Sequence, residues 1–195
     1  MHLEHKIKVY KNFLPQAQLK KLYEYSVNNP ELYLKYGGEE DSFWKQRTLL
    51  LFHAVVPNHI QNIGWNYLNK VSPLIQSIGN GNKVYSDHIN FVKWWDGYEQ
   101  PPHADGEYSN GIEHPYPWRK FGCVFYLNDD YEGGELYFPN FDIEVKPQSN
   151  MVIFFPGDTL HLHGVRNVTN GIRHTIASFW GYDESYKIPI YDERR

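Results

Sequence analysis

Between residues 83 and 182 the sequence is dominated by short stretches that have the character of β-strands. Six of them are rich in β-branched and aromatic residues and are bounded by Gly, Pro, Asn or Asp, as strands joined by turns are. They cover residues 83–95, 120–128, 133–139, 141–147, 150–157 and 172–182. Because no helical pattern separates these strands, they are expected to pair in antiparallel order as a β-barrel or sandwich.

The first 82 residues are instead dominated by two helical patterns. Residues 15–27 place apolar side chains near one face, after a proline that suits the first turn of a helix. Residues 58–78 repeat apolar side chains at helical spacing, and Pro73 is expected to bend this helix or to separate its last turn. The remaining features of this half are strands at 7–14 and 43–53 and a loop at 37–42.

These patterns together predict an α+β protein of one domain. No linker-like or low-complexity stretch divides the 195 residues, so a single domain over 1–195 is expected. Helical support from about residue 1 to 82 would pack on one face of a barrel from about 83 to 185. A net charge of -4 gives no general attraction to nucleic acid or to anionic membranes.

The single cysteine and the N-terminal sequence indicate the cellular compartment in which the protein is expected. Cys123 is the only cysteine, which excludes an intrachain disulfide and a metal site built from cysteines. The first residues mix charged and apolar types without the apolar run of a signal peptide, and no stretch has the length and apolarity of a membrane span. An intracellular, reducing and cytoplasmic location is therefore expected.

The sequence "HAD" at 103–105 offers two metal ligands at strand spacing. In an extended segment, residues i and i+2 project to the same face, so His103 and Asp105 can offer a nitrogen and a carboxylate oxygen to one cation. Taken alone, this pair is common by chance. Downstream, His161 and His163 follow a strongly apolar strand, where an imidazole needs a reason to be present.

Two histidines and one carboxylate form a facial triad that leaves positions open on Fe(II). A zinc hydrolase could use the same ligands, so the triad alone does not choose the reaction. Arg173 helps to choose, because a guanidinium on an inner strand is costly to bury unless it meets an anion. A dicarboxylate that chelates the metal at one end and meets Arg173 at the other would satisfy both features. The alternative is an arginine that bridges to a surface carboxylate.

Four segments carry a resemblance to a known family. They are "NFLP" before the first helix, "WWDGYEQPPHAD", "CVFYLNDDYEGGELYFPN" and "VIFFPGDTLHLHGVRNVTNGIRHT", and the similarity is strongest over residues 84–182. The sequence resembles the iron(II)- and 2-oxoglutarate-dependent dioxygenases, most closely their prolyl 4-hydroxylase branch. The resemblance implies a double-stranded β-helix (jelly-roll) barrel with the helices packed on one face.

The resemblance also implies the site residues and the chemistry. His103, Asp105 and His163 match the iron ligands, with His163 preferred over His161 because "HGVRNVTNGIR" fits the family pattern. Arg173 and Tyr126 match the residues that bind the distal carboxylate of 2-oxoglutarate. The implied reaction uses O2 to hydroxylate an unactivated C–H bond, with succinate and CO2 as co-products and ascorbate (vitamin C) as the reductant. No catalytic residue beyond the metal ligands is implied.

Three positions depart from the family pattern. Trp94 stands nine residues before the first ligand, where relatives often have tyrosine. Leu136 follows "GGE", where many members have threonine. Ala177 replaces a hydroxyl-bearing residue of some relatives, which leaves Thr175 as the nearest hydroxyl on that face and a candidate for binding the cosubstrate. These differences concern how cosubstrate and substrate are held, and they do not touch the metal ligands.

Aromatic residues near the ligands suggest a peptide substrate, because flat uncharged faces suit proline rings and extended peptides. The candidates for such a wall are Trp94, Trp95, Tyr108, Tyr116 and Trp118. Each of them could equally be packing the mouth of a barrel. His88, His114, His161 and His174 are interpreted as ordinary polar residues, and a supporting role of His161 beside the metal is left open.

Three functions therefore stay open from the sequence. The first is a prolyl hydroxylase of a peptide or protein, and the second is a hydroxylase of a free amino acid or other small metabolite. The third is a non-catalytic metal-binding barrel. A nucleic-acid demethylase is disfavoured, because relatives of that branch have an arginine where Phe179 stands, and neither nucleic acid nor a membrane is an expected partner. The sequence does not indicate an oligomeric state.

Overall fold

The protein is described by a computed structural model that covers residues 6–37, 43–108, 110 and 112–188. The predicted loop at 37–42 lies, apart from Gly37, outside the described residues. The α-helices are α1 Gln16–Asn28, α2 Pro30–Tyr36 and α3 Asn58–Ile78. None of these three helices combines the length and the apolar character that a membrane crossing requires.

The strands are short and follow one another closely in the second half of the chain. In chain order they are β1 Lys8–Tyr10, β2 Thr48–Leu50, β3 Tyr85–Trp95, β4 Gln100–His103, β5 Phe121–Tyr126, β6 Glu132–Gly133, β7 Leu136–Phe138, β8 Ile143–Val145, β9 Met151–Pro156, β10 His163–Val165, β11 Val168–Asn170 and β12 Ile172–Gly181. Single 3-10 turns lie at Pro139–Phe141, Thr159–His161 and Glu184–Tyr186.

All strand pairings in the described residues are antiparallel, as the sequence predicted. The largest sheet has the order β1-β9-β5-β12-β3-β2, a second sheet has the order β4-β10-β7-β8, and β11 pairs with β6. The longest pairing joins β12 to β3 and sets Arg173 opposite Trp94. The α+β class is thus confirmed.

Alternation along the strands of the large sheet divides the core in two. Residues such as Phe91, Phe125 and Ile176 face the helices, where Phe13 and Tyr67 pack with them. The neighbouring positions point the other way and contribute to a second apolar cluster that includes side chains of the four-stranded sheet. This division follows from the two-residue period of a strand. It leaves a cavity between the two sheets.

The helical half can be compared with the prediction in three places. Helix α3 runs through Pro73 to Ile78 as one element, so of the two outcomes expected at Pro73 a separate last turn is absent, and Val71, Ile75 and Ile78 stay buried on one face. The first predicted helix is confirmed as α1, but a second short helix, α2, follows it without having been predicted and begins at Pro30, because proline suits a first helical turn. The predicted strand at 43–53 shortens to β2, and the residues before it form turns.

Candidate metal centre and adjoining cavity

Three predicted ligands meet at the edge of the four-stranded sheet. His103 ends β4, His163 begins β10, and the two residues are direct partners in the antiparallel pairing. Asp105 lies two residues beyond the end of β4, and its Oδ1 is 3.8 Å from His103 Nε2 and 3.6 Å from His163 Nε2. The three ligand atoms lie within 4.8 Å of one another, close enough to bind one ion.

Both imidazole rings are oriented by their backbone surroundings. The Nδ1–H of His103 can donate to the carbonyl of Pro101 at 3.0 Å, and that of His163 to the carbonyl of His161 at 3.2 Å. With the proton on Nδ1, each Nε2 keeps its lone pair toward Asp105, as in histidines that bind metals. The backbone of His161 thus supports His163, while its side chain bonds instead to Asp158 at 2.6 Å.

Burial keeps one of these rings neutral. Burial lowers the pKa of His163 to about 4, and the nearby His103 acts in the same direction, whereas Asp105 opposes them. A neutral imidazole is the form that ligates a cation. The amide of Gln100 lies 3.2 Å from His103 Nε2 and can donate to that atom.

Gly122 leaves the space that the Asp105 carboxylate occupies. A Cβ atom at residue 122 would overlap Asp105 Oδ2 and would approach the ring of Phe155 to 2.7 Å. Gly157 is also close, since a Cβ there would lie 3.2 Å from the Cβ of Asp105. Neither glycine was recognised in the sequence, because only the folded arrangement of β5 and β9 brings them to the carboxylate.

A cavity adjoins the three ligands and extends between the two sheets to Arg173. The large sheet contributes Val92, Trp94, Gly122, Cys123, Val124, Phe155, Arg173, Thr175, Ala177 and Phe179, and other segments contribute Trp44, Gln100, Leu136 and Val165 beside the ligands. Among these lining residues, the only side chains that carry charge at neutral pH are Asp105 and Arg173. The cavity is therefore mostly apolar, with one polar end at the ligands and another at the arginine.

Arg173 is buried without a carboxylate partner among the described residues. Its side chain is only 2% exposed, and its Nε has no hydrogen-bond partner. One terminal nitrogen donates to the hydroxyl of Tyr126 over a long 3.5 Å. A buried permanent cation of this kind indicates a place for an anion.

The hydroxyl of Thr175 lies on the same strand face, two residues from Arg173. It lines the cavity and donates to the carbonyl of Val92 at 3.4 Å. The three positions that depart from the family pattern, Trp94, Leu136 and Ala177, all line the cavity as well. They therefore shape its apolar walls.

The predicted aromatic wall is brought only partly to the cavity. Trp94 lines it, whereas the lining does not include Trp95, whose ring contacts Tyr98 at 4.7 Å. Trp118 stacks on Tyr186 with ring centres 4.0 Å apart and donates to Asp87 at 2.7 Å. Two further candidates, Tyr108 and Tyr116, are exposed at 48% and 43% on either side of His114. The lining in the described structure does not include Tyr108, Tyr116 or Trp118.

The sequence profile of the 2OG-Fe(II) oxygenase superfamily, where 2OG is 2-oxoglutarate, matches residues 88–182. The matched segment includes the three clustered ligands and Arg173. This chain contains a segment that belongs to that superfamily. It therefore carries the domain of a 2-oxoglutarate-dependent iron oxygenase, and the prediction made from the sequence motifs is confirmed. The donor set fits Fe(II), and the unpaired Arg173 fits a dicarboxylate.

Curated relatives match this chain over a shorter stretch than the family profile does. The chain is 36% identical over 84 residues to prolyl 3-hydroxylase 1 of Rattus norvegicus and 37% identical over 84 residues to that of Homo sapiens. The matched stretch is 40% of this chain, but the chain covers only 11% of the length of either relative.

Solved structures resemble this chain in fold over nearly its whole length. The 2OG complex of vCPH, a viral collagen prolyl hydroxylase of Paramecium Bursaria Chlorella virus-1, superposes with a TM-score of 0.68 over 91% of this chain and 96% of that one, at 15% identity. A Trichoplax adhaerens prolyl hydroxylase, solved with a peptide fragment of the hypoxia inducible factor oxygen degradation domain, gives 0.65 over 94% and 86%, also at 15% identity. At these identities the likeness is one of fold.

Proposed function

We propose that this chain hydroxylates a prolyl residue of a peptide or protein, using Fe(II), 2-oxoglutarate and O2. The observation that carries the proposal is the pairing of two features in one cavity. A His103–Asp105–His163 cluster lies at one end, and a buried arginine without a carboxylate partner lies at the other. A cosubstrate with two carboxylates can bind a metal ion at the cluster through one carboxylate and pair with the arginine through the other.

The three clustered residues would hold the metal. His103 and His163 would offer their Nε2 atoms, and Asp105 would offer a carboxylate oxygen in the space beside Gly122. When bound, Fe(II) supplies the capacity to couple 2-oxoglutarate decarboxylation with O2 to hydroxylation of an unactivated C–H bond, giving succinate and CO2. The protein's own contribution is to fix the ligand geometry and to keep water away between the two sheets.

Arg173, Tyr126 and Thr175 would bind the cosubstrate. The guanidinium provides a permanent charge and a planar donor face for the distal carboxylate. Tyr126 Oη is already near Arg173 and can donate to the same group, and Thr175 offers a hydroxyl on the same wall. Because each of these groups is buried, a carboxylate held there would interact strongly with them.

The apolar lining supports a substrate that enters the cavity as an uncharged side chain. A free amino acid carries an ammonium and a carboxylate, and both would need charged or polar partners once water is removed. Apart from the metal ligands and Arg173, the described lining offers no charged partner. A prolyl ring within a peptide has no such requirement, and the aromatic side chains of Trp94 and Phe179 are part of the lining.

We also propose that the facing antiparallel sheets form the double-stranded β-helix of the superfamily, as one domain with the N-terminal helices. The similarity in fold to vCPH and the shared core of helices and sheet support this proposal. The position of hydroxylation is a separate question, since prolyl 3-hydroxylases are sequence relatives and a prolyl-4-hydroxylase of Pseudomonas putida is a neighbour in fold.

The test is an incubation with Fe(II), 2-oxoglutarate and ascorbate, followed by mass spectrometry for succinate and for gain of one oxygen. The panel contains proline-containing peptides with blocked termini, the same sequences with proline replaced by alanine, free L-proline and other free amino acids. Hydrolysis of any product then separates 3- from 4-hydroxyproline by chromatography. An Asp105→Ala variant and a reaction without 2-oxoglutarate are the controls.

We expect oxygen gain in blocked prolyl peptides alone, with succinate formed and both controls inactive. Oxygen gain in free amino acids but not in peptides would transfer the function to a small-molecule hydroxylase. Binding of Fe(II) without any conversion of 2-oxoglutarate would indicate a non-catalytic metal-binding domain. Full turnover by Asp105→Ala would contradict the ligand assignment.

A further inference from the structure

A second tyrosine hydroxyl lies beside Arg173 without a hydrogen-bond partner. Tyr131 follows β5, and its Oη is buried and unpaired, as is the Nε of Arg173. Burial raises the pKa of Tyr131, and the guanidinium of Arg173 opposes that rise, which places the hydroxyl within electrostatic reach of the cation. No hydrogen bond of good geometry joins the two groups.

Gly134 is the point at which the two side chains come together. Its φ of +67° lies in the left-handed region that favours glycine, and a Cβ there would be 2.9 Å from Arg173 Cδ and 3.1 Å from Tyr131 Cε2. Gly134, the second glycine of "GGE", therefore makes room for this contact. Tyr131 also interacts electrostatically with Tyr126, so the two hydroxyls and the guanidinium form one cluster.

This cluster contains donors that have no acceptor. The guanidinium offers only N–H groups, and a phenol beside a cation is best used as a donor to an anion. Asp129 and Glu135 act on the two tyrosines at a distance, but no carboxylate among the described residues forms an ion pair with Arg173, and the residue opposite Arg173 on β3 is Trp94, whose indole cannot accept. Unpaired buried donors that converge on one place are a preformed site for an anion.

We propose that the Tyr131 hydroxyl donates to the distal carboxylate of 2-oxoglutarate, as a third donor beside Arg173 and Tyr126. This inference rests on the proposed function, because it concerns the same cosubstrate. Neither composition nor the resemblance singled out Tyr131. Its place in the cluster depends on the segment after β5, in which Gly133 at the end of β6 and Gly134 just beyond it both have positive φ.

The test measures binding of two ligands by calorimetry, with protein loaded with Mn(II) so that no turnover occurs. The ligands are 2-oxoglutarate and 2-oxovalerate, which has a methyl group in place of the distal carboxylate. Tyr131→Phe removes only the hydroxyl, and Tyr85→Phe is the matched control, because the Tyr85 hydroxyl bonds to exposed Glu184. Melting of the ligand-free variants is recorded beside the titrations.

We expect Tyr131→Phe to weaken 2-oxoglutarate binding about 10- to 100-fold, as loss of one charge-assisted hydrogen bond does, and to leave 2-oxovalerate binding unchanged. The ligand-free variant should melt close to the wild type, because the removed hydroxyl makes no hydrogen bond of good geometry in the ligand-free protein. In turnover assays the KM for 2-oxoglutarate should rise, with kcat kept at saturation.

Two results would overturn this inference and leave the proposed function standing. One is unchanged 2-oxoglutarate binding by Tyr131→Phe, and the other is an equal loss for both ligands together with a lower melting temperature, which is the pattern of a structural role. Failure of the wild type to prefer 2-oxoglutarate over 2-oxovalerate would instead overturn the proposed use of 2-oxoglutarate, and the inference with it.

Discussion

Gly122 and Gly134 each make room for a charged side chain of the proposed site. A side chain at 122 would occupy the position of the Asp105 carboxylate, and one at 134 would press on the aliphatic part of Arg173. Glycine is thus required at 122 for space alone and at 134 for space and a positive φ. Each end of the cavity therefore depends on a glycine that leaves space, as well as on the charged side chain that fills it.

The first prediction concerns Gly122→Ala. The added methyl group overlaps Asp105 Oδ2, so the carboxylate must turn away from His103 and His163. Affinity for Fe(II) or Mn(II) should fall about 10- to 100-fold, the range seen when support of a metal ligand is lost. The measurement is metal titration by calorimetry, with circular dichroism to show that the fold is retained.

Gly79→Ala is the control for this experiment. A Cβ at residue 79 meets the far ends of Phe121 and Tyr182 at 3.1 Å, and these side chains can shift. Its metal affinity should match the wild type. Wild-type affinity in Gly122→Ala would mean that Asp105 is not a ligand in this position.

The second prediction concerns His174, which is 5% exposed and lies beside Ser26 and Lys93. Burial, aided by Lys93 and opposed by Asp130, lowers the pKa of His174 to about 4. The unfolded chain, with a pKa of about 6.5, binds the proton first as pH falls, so stability decreases between about pH 6.5 and 4. From pH 6.5 to 5 this histidine alone should cost about 2 kcal/mol.

Urea unfolding of metal-free protein at several pH values measures this loss. His174→Gln cannot titrate and should show a shallower decline than the wild type. His163, whose pKa is also lowered to about 4, adds a decline of its own that both proteins share. Parallel stability curves for wild type and variant would show that His174 does not resist protonation.

At the scale of residues, the sequence could identify groups whose chemistry is explicit in a local pattern. His103 and Asp105 are two apart in an extended segment, and the structure does bring them together with His163. Tyr131 and Gly122 could not be found in this way, because a phenol or a glycine has no pattern that reveals its neighbours. Their placement follows from which strands pair, which the sequence did not determine.

At the scale of elements, the side chain of Asn128 holds the first residues of β12, beyond the point where the neighbouring strand β5 ends. The pairing of β5 with β12 ends at Tyr126 and Thr175. Beyond it, Asn128 accepts from the backbone N–H of His174 and donates to the carbonyl of Ile172, both at 2.8 Å. The amide of Asn128 thus bonds β12 on both sides of Arg173 and fixes the backbone from which the arginine projects.

The third prediction is that Asn128→Ala loosens this end of β12. The two backbone groups lose buried partners, at a cost of about 1–3 kcal/mol in the free energy of unfolding. The KM for 2-oxoglutarate should rise while kcat at saturation is kept, because Arg173 is displaced but the metal ligands are not. Denaturation curves and steady-state kinetics measure the two effects.

Asn128→Asp and Asn140→Ala are the companion variants. Aspartate keeps the acceptor for His174, but it sets a carboxylate oxygen against the carbonyl of Ile172 and the carboxylate of Asp130, to which the Asn128 amide donates, so it should lower stability at least as much as alanine. Asn140 also bonds to a backbone carbonyl, that of Leu160 at 2.9 Å, but it lies at an exposed position away from β12. If Asn128→Ala lowers stability and leaves the KM unchanged, the residue supports the fold and not the cosubstrate.

The elements that could be predicted are those with a long, regular pattern. Helix α3 and strands β3, β5, β9 and β12 were located closely, because the helix repeats apolar residues at helical spacing and the strands are runs of β-branched and aromatic residues between turn residues. Strand β4 was missed because its sequence, QPPH, contains two prolines, and proline is compatible only with the edge position that β4 occupies. Strands β10 and β11 are three residues each, too short for a period to appear.

At the scale of the whole molecule, the helices and the large sheet share one core. Phe13 and Tyr67 of the helical half contact each other with ring centres 6.0 Å apart, and both contact Phe125 of β5, at 6.1 and 5.3 Å. Phe91, Phe125, Ile176 and Trp180 of the sheet are all fully buried in this cluster. The prediction of one domain depends on this shared core.

The fourth prediction is that residues 83–188 do not form a folded unit when residues 1–82 are deleted. Exposing Phe91, Phe125, Ile176 and Trp180 costs on the order of 10 kcal/mol, which is comparable to the whole stability of a typical domain, about 5–15 kcal/mol. The fragment should therefore show no cooperative melting by circular dichroism and no near-ultraviolet signal from packed aromatic rings. The full chain under the same conditions should show both. A cooperative transition in the fragment would mean that the sheets are stable without the helices, and the chain would then be better divided near residue 83 than treated as a single domain.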